Sequence, residues 1–320
     1  MIAFKSPAVL ASPIAEEVSE GLSSYPKSLP PKLFYDAEGS HLFEQITETP
    51  EYYPTRTERS IFEQYVCEMA ERAGNNLTLV ELGAGSARKT RLLIEALLRR
   101  QLRLDFYPVD VSPAALRDAV ARLNGDFSNL HVSPIVADYS HHLAQLKALP
   151  GRKLALFLGS TIGNFEPEEA VQFLARLHGS LGAGDALLLG FDMRKDAATL
   201  RAAYNDQQGI TARFNKNVLA RINRELGGQF DLASFMHVAF WNRGQSRIEM
   251  HLESQVEQIV WIQDLARPFY FARGERIHTE NSYKFSLHSI ARMLRQAGLR
   301  LEHTWTDPEG WFSEVLARVP

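Results

Sequence analysis

The chain has 320 residues, more than one average domain, although one domain carrying a large insertion would also fit. Its hydrophobic share of 45%, charged share of 23% and formal net charge of -3 describe an ordinary soluble protein and give no reason to expect nucleic acid or a membrane as partner. A lone cysteine, Cys67, excludes an intrachain disulfide and a cysteine-based metal cage, and the lack of a signal-peptide core or membrane-spanning run predicts a cytoplasmic protein.

Residues up to about 31 mix helical and proline-rich signals, with Pro26, Pro30 and Pro31 interrupting any continuous helix. Residues 32–43 are rich in aromatics without a strict period; Phe34, Tyr35, Phe43 and Tyr52 could wall a substrate pocket or pack as plain core. Thr55 and Glu58 have capping-box spacing, which predicts a helix to about Arg72 with Gly74 as its stop. Ile61, Phe62, Tyr65, Val66 and Met69 would line its buried face, with Cys67 beside them as a structural thiol.

Residues 77–82 form an apolar run of the buried parallel-strand kind, ending at Gly83-Ala84-Gly85. From about Ser86 the spacing turns helical, with Leu92, Leu93, Ala96 and Leu97 on one face. Glycines in such a strand–turn–helix unit let a ligand approach the backbone closely. Arg88 stands where the dinucleotide fingerprint needs a third glycine, which counts against a nicotinamide-dependent oxidoreductase. Further strands are predicted at 104–111, 131–137, 153–158 and 185–191, with helices between them, Ser112-Pro113 opening one that Gly125 closes. Right-handed crossovers would place these strands in one parallel sheet, gathering Gly83, Gly85, Asp110, Asp138 and Asn164 at the carboxyl edge where such sheets bind ligands. Beyond about 195 the rhythm breaks into a helical stretch around 200–226, and antiparallel strands are expected at 236–241, 247–252 and 255–261. A helix at 286–297, stopped by Gly298, and strands at 300–305 and 312–319 close the chain.

Asp110, at the end of the second strand, can accept hydrogen bonds from both ribose hydroxyls of a nucleoside, or it is a turn aspartate before a capped helix. Asp138 and Tyr139 suit an adenine site, the carboxylate meeting the exocyclic amine and the ring covering the base. Lys89 is either a solvated helix lysine or a partner for a cofactor carboxylate. Asn164 can both donate and accept, so it can bind a carboxylate and orient a neutral amine, or merely satisfy a turn. No histidine spacing suggests a metal site and no Gly-x-Ser-x-Gly elbow suggests a hydrolase.

The Glu81-x-Gly-x-Gly turn followed by acidic strand ends looks like a class I S-adenosylmethionine (SAM) methyltransferase, Rossmann-like, with a mostly parallel seven-stranded α/β sheet. More specifically, the chain resembles the histidine Nα-methyltransferases of ergothioneine biosynthesis. The motifs are Pro50-Glu-Tyr-Tyr-Pro-Thr-Arg-Thr-Glu58, Gly159-Ser-Thr-Ile-Gly-Asn164, Phe214-Asn-Lys-Asn-Val-Leu-Ala220, Arg247-Ile-Glu-Met250 and Thr279-Glu-Asn-Ser-Tyr-Lys-Phe285. The resemblance implies a core at 58–194 and 285–320, and a substrate-binding α+β domain formed by 1–57 and 195–284. It implies three methyl transfers to L-histidine, giving hercynine, by a monomer that uses SAM and no metal. Tyr52, Asn164 and Tyr204 would hold the amino-acid head group and act in catalysis; Glu280 and Ser282 would read the imidazole; Tyr35, Phe43 and Met250 would line the pocket. Gly83, Gly85, Ser86, Lys89, Asp110, Asp138, Tyr139, Gly159 and Thr161 would serve the cofactor. The family often has threonine where Ser86 stands and phenylalanine where Tyr139 stands. Relatives that methylate a tryptophan derivative are the alternative, but an indole has one donor and no acceptor and would leave Ser282 without a partner.

Overall fold

The computed structural model describes residues 14–85, 87–138 and 143–320. The N-terminal segment contains α1 (Ala15–Ser23), β1 (Lys27–Ser28), a 3-10 turn (Pro31–Phe34) and α2 (Ala37–Thr47). The sequence reading missed α2, whose start signal is Asp36: its carboxylate accepts from the Gly39 N–H at 2.7 Å. A longer helix, α3 (Tyr53–Ala73), begins ahead of the expected capping box. Pro54 occupies its first turn, Glu58 is fully buried instead of capping, and Cys67 is exposed rather than packed.

The nucleotide-fold elements follow: β2 (Leu77–Leu82), α4 (Thr90–Leu98), β3 (Leu104–Asp110), α5 (Pro113–Asp126), β4 (Leu130–Val132), β5 (Ile135–Val136), β6 (Arg152–Phe157), α6 (Pro167–His178) and β7 (Ala186–Asp192). Ser112 caps α5 by accepting from the Ala115 N–H, as expected, but the helix continues through Gly125. The expected third strand is split into β4 and β5 around Pro134, which has no N–H to donate to the ladder.

After β7 come α7 (Ala197–Ala203) and α8 (Ile210–Leu226), two helices where one stretch was expected. Asp206 divides them, accepting from the Ile210 and Thr211 N–H groups at 2.9 and 2.7 Å to start the second. Strands β8 (Phe235–Asn242), β9 (Arg247–Ser254), β10 (Gln258–Ile262), β11 (Arg267–Phe271) and β12 (Arg276–Tyr283) precede α9 (Leu287–Gln296), β13 (Arg300–Thr306) and β14 (Phe312–Arg318). The sequence reading missed β11 and β12, and β10 pairs with β11 in a separate ribbon.

The large sheet runs β13-β14-β7-β6-β2-β3-β4, with the short β5 also paired to β3. Only β14 opposes the common direction, antiparallel to both β7 and β13. This is the expected Rossmann-like, mostly parallel sheet, with β5 as an extra short strand beside the seven. A second sheet runs β1-β12-β9-β8, so two residues near the N-terminus extend a sheet otherwise made from residues 235–283. Leu22, Leu29, Phe34 and Leu42 share one apolar cluster with Phe214, Val218, Ile248, Leu252 and Ile277. Two other clusters cover the faces of the large sheet, one around Phe62, Leu93 and Phe106, the other around Phe157, Phe173 and Ile290. Burying each such leucine, isoleucine or phenylalanine contributes about 1.5–3 kcal/mol.

Candidate active site

The carboxyl ends of β2, β3, β6 and β7 converge on one edge, and the glycine turn after β2 shapes it. Gly83 and Gly85 have φ of 72° and 48°, the left-handed region that favours glycine. Asp110 fixes this turn: one carboxylate oxygen accepts from the Gly85 N–H at 2.9 Å, the other from the Ser112 N–H at 2.8 Å. A carboxylate offers about four lone-pair positions, so both oxygens retain capacity for a diol. Glu81, buried in β2, accepts from the Thr90 hydroxyl at 2.6 Å and thereby ties the strand to the first residue of α4. Burial pushes its carboxyl up to about 8. Val136 of β5 pairs with Asp110, which brings Asp138 to the same edge. There Asp138 meets Lys32 of the N-terminal segment at 3.4 Å.

Lys89 forms an ion pair with Glu58, a partner the sequence did not suggest. The second Glu58 oxygen accepts from the Gly159 N–H at 2.6 Å, so Glu58 joins α3 to the loop after β6. A Cβ on Gly85 would meet nothing within 4 Å, and one on Gly159 would lie 3.7 Å from the Thr161 hydroxyl and 3.8 Å from the Lys89 ammonium. Backbone open to a ligand, a diol acceptor and a nearby cation together fit the nucleoside and carboxylate of SAM. The Thr161 hydroxyl donates to the Leu158 carbonyl at 2.9 Å and stands on the same loop. Ser86 and Tyr139 lie outside the described residues. Among the described residues, no group of three or more His, Cys, Asp or Glu is arranged to hold a metal ion, and no helix is long and apolar enough to cross a membrane.

The eight expected substrate residues come from five separate stretches of chain and meet in a linked series. The Tyr35 and Phe43 rings are 5.9 Å apart, Phe43 and Tyr52 6.1 Å, and Tyr52 and Tyr204 6.2 Å. The Tyr204 and Ser282 hydroxyls are hydrogen-bonded at 2.7 Å. On the other side Met250, buried in β9, pairs across the ladder with Glu280, whose carboxyl accepts from the Asn164 amide at 3.3 Å. Strand alternation explains the grouping on β12. Glu280 and Ser282 face this wall, while Asn281 and Tyr283 point the other way, both donating to Glu166, at 2.8 and 2.5 Å.

Electrostatics at the wall follow from burial. Desolvation pushes the Glu280 carboxyl up to about 7, against the opposing pull of Lys284 and the Asn164 hydrogen bond. Burial also holds the Tyr52 hydroxyl well above its ordinary range, with Tyr204, Glu280 and Asp192 adding to the effect. Tyr204 is raised likewise by burial, then by Asp192 and Glu280. Both tyrosines are therefore neutral hydroxyls at physiological pH.

Behind them lies a buried network that sequence reasoning missed. Asp192, closing β7, accepts from the Tyr53 hydroxyl at 2.8 Å, from Lys195 at 2.5 Å and from Lys284 at 2.7 Å. Asp192 ends its strand as Asp110 does, and that parallel was the available signal. Tyr53 and Lys284 sit inside two of the quoted motifs, one position from Tyr52 and two from Ser282.

A sequence model of the family described as "Histidine-specific methyltransferase, SAM-dependent" matches residues 14–319. The chain is 46% identical over 307 residues to the histidine N-alpha-methyltransferase of Mycolicibacterium smegmatis, covering 96% of this chain and 95% of that protein. It is 44% identical over 304 residues to the enzyme of the same name from Mycobacterium tuberculosis, covering 95% and 94%. Ergothioneine biosynthesis protein 1 of Neurospora crassa is 30% identical over 300 residues, 92% of this chain but 33% of that longer protein.

Proposed function

The chain belongs to the SAM-dependent histidine-specific methyltransferases, and on that premise we propose that it methylates the α-amino nitrogen of L-histidine three times, giving hercynine for ergothioneine biosynthesis. SAM, when bound, supplies the methyl group from a positively charged sulfur. We assign Gly83, Gly85, Lys89, Asp110, Asp138, Gly159 and Thr161 to its binding, on the strength of the edge they share. Residues 58–194 and 285–320 are the core in this reading, and 1–57 and 195–284 the substrate part; residues 1–13 lie outside the described residues, and the apolar cluster shared by 14–57 and 195–284 supports the division.

The remaining work is positioning, which supplies much of the rate of an in-line displacement. Tyr52, Asn164 and Tyr204 hold the head group, and an amine must arrive there unprotonated although it is mostly protonated at neutral pH. Neutral tyrosine hydroxyls and an asparagine amide can orient its lone pair without removing the proton themselves. Loss of a proton to water before each transfer then suffices, with no dedicated strong base. Tyr35, Phe43 and Met250 wall the pocket.

One observation carries the choice of histidine: Glu280 and Ser282 lie on the same face of β12, beside Asn164 and Tyr204 respectively. A neutral imidazole has one N–H and one bare nitrogen, so a carboxyl and a hydroxyl can satisfy both. Mass spectrometry of histidine incubated with the protein and SAM tests the reading. A gain of three methyl groups supports it, and no mass change refutes it. A panel including tryptophan separates the alternative substrate.

A further inference from the structure

Lys284 follows β12 directly, on the same face as Glu280 and Ser282. Its side chain has no exposed surface and its ammonium has three acceptors: Asp192 at 2.7 Å, the Tyr204 hydroxyl at 2.9 Å and the Ser282 hydroxyl at 2.8 Å. Those two hydroxyls are also 2.7 Å from each other. An ammonium donates and never accepts, so neither hydroxyl can give its proton to Lys284. Two hydroxyl protons are available and the mutual bond uses one of them. The other has no acceptor within this trio and is left for a ligand.

We propose that Lys284 is a positioning residue that keeps the Tyr204–Ser282 pair poised as a hydrogen-bond donor toward the bound amino acid. It does so by occupying a lone pair on each oxygen and anchoring both to Asp192 at the end of β7. The assignment rests on the histidine methyltransferase reading. It adds a link through which the rim of the parallel sheet sets the geometry of the substrate wall.

The competing role is charge compensation of a buried Asp192, and Lys195 separates the two. Lys195 binds the other Asp192 oxygen at 2.5 Å, with further bonds to the Tyr53 hydroxyl and the Met193 carbonyl at 2.7 Å each. Its hydrogen bonds go to neither Tyr204 nor Ser282.

The test compares Lys284→Met with Lys195→Met by calorimetric titration of histidine into the enzyme saturated with S-adenosylhomocysteine, alongside melting temperatures. Lys284→Met is expected to weaken histidine binding roughly tenfold or more, as loss of hydrogen bonds involving a charged group does. Lys195→Met is expected to lower the melting temperature while histidine affinity stays within about twofold, a difference of less than 0.5 kcal/mol. In a Tyr204→Phe, Ser282→Ala background, adding Lys284→Met should produce no further loss of affinity. Equal effects of the two lysine variants, or an undiminished Lys284 effect in that background, would overturn the assignment. If Lys284→Met does not fold, Lys284→Gln replaces it in the same cycle under the same criterion. Turnover of histidine by the unaltered enzyme is measured first. Its absence refutes the methyltransferase reading, whereas normal turnover with indistinguishable lysine variants refutes only the role of Lys284.

Discussion

The side-chain amide of Asn164 donates to the carboxyl of Glu280 across 3.3 Å, although 116 residues separate them in the chain. One belongs to the loop after β6 of the parallel sheet and the other to β12 of the second sheet. The contact therefore marks where the group proposed to orient the amine meets the group proposed to read the ring.

Replacing Glu280 by alanine removes that reader. A hydrogen bond to a charged group contributes about 1.5–3 kcal/mol, so kcat/KM for histidine should fall about 10- to 150-fold. Steady-state kinetics check this. Unchanged histidine turnover would sink the side-chain assignment.

Glu280 also makes stability depend on pH. Its carboxyl is at about 7 in the folded chain against an ordinary 4.5, because burial disfavours the charge. The folded state therefore binds the proton more tightly, and stability falls as pH rises from about 4.5 to about 7. The full effect is on the order of 3 kcal/mol. Glu280→Gln should abolish this component, so its melting temperature should gain on the parent's as pH rises from 5 to 8. A constant difference across that range would contradict the assignment.

Lys89→Met should weaken SAM binding about tenfold and leave Glu58 buried with an uncompensated charge. Removing one partner of a buried pair costs several kcal/mol, so melting should drop markedly as well. Calorimetry with S-adenosylhomocysteine and thermal denaturation measure the two effects separately. Normal affinity with lowered stability would confine Lys89 to a structural role.

Gly39→Ala should destabilise the chain without touching any polar site residue. A Cβ there would fall 1.7 Å from the Phe34 carbonyl oxygen, where α2 crosses the preceding turn. Overpacking of this kind costs about 1–3 kcal/mol, and denaturant unfolding would show it. A midpoint equal to the parent's would mean that α2 can move aside freely.

Local chemistry made much of the candidate cofactor edge legible. The apolar run of β2, the glycine turn, the Ser112-Pro113 start of α5 and Asp110 at a strand end all depend on neighbours within a few residues. Of the candidate substrate wall, the aromatics Tyr35, Phe43 and Tyr52 and the amide of Asn164 could be singled out by residue type, but Glu280 and Ser282 only through resemblance, since by themselves they read as polar residues of an unremarked segment. What brings them into the candidate site is burial against Asn164 and Tyr204, which no spacing encodes. Glu58 shows the opposite failure: it matches a capping box, but its partners Lys89 and Gly159 lie 31 and 101 residues away and draw it inward. Asp36 was a usable helix start, obscured because only Gly39, Leu42 and Ile46 of α2 are buried, too few to show a clear helical period.

The strand β1 hydrogen-bonds to β12, and residues between 14 and 53 share one apolar cluster with residues between 200 and 277. On the proposed division of the chain, transplanting this enzyme's substrate preference onto another methyltransferase would therefore require moving two pieces in concert. A chimera carrying only the later piece would expose the flank of β12 that β1 now occupies, and would invite association or misfolding before it could display any new selectivity.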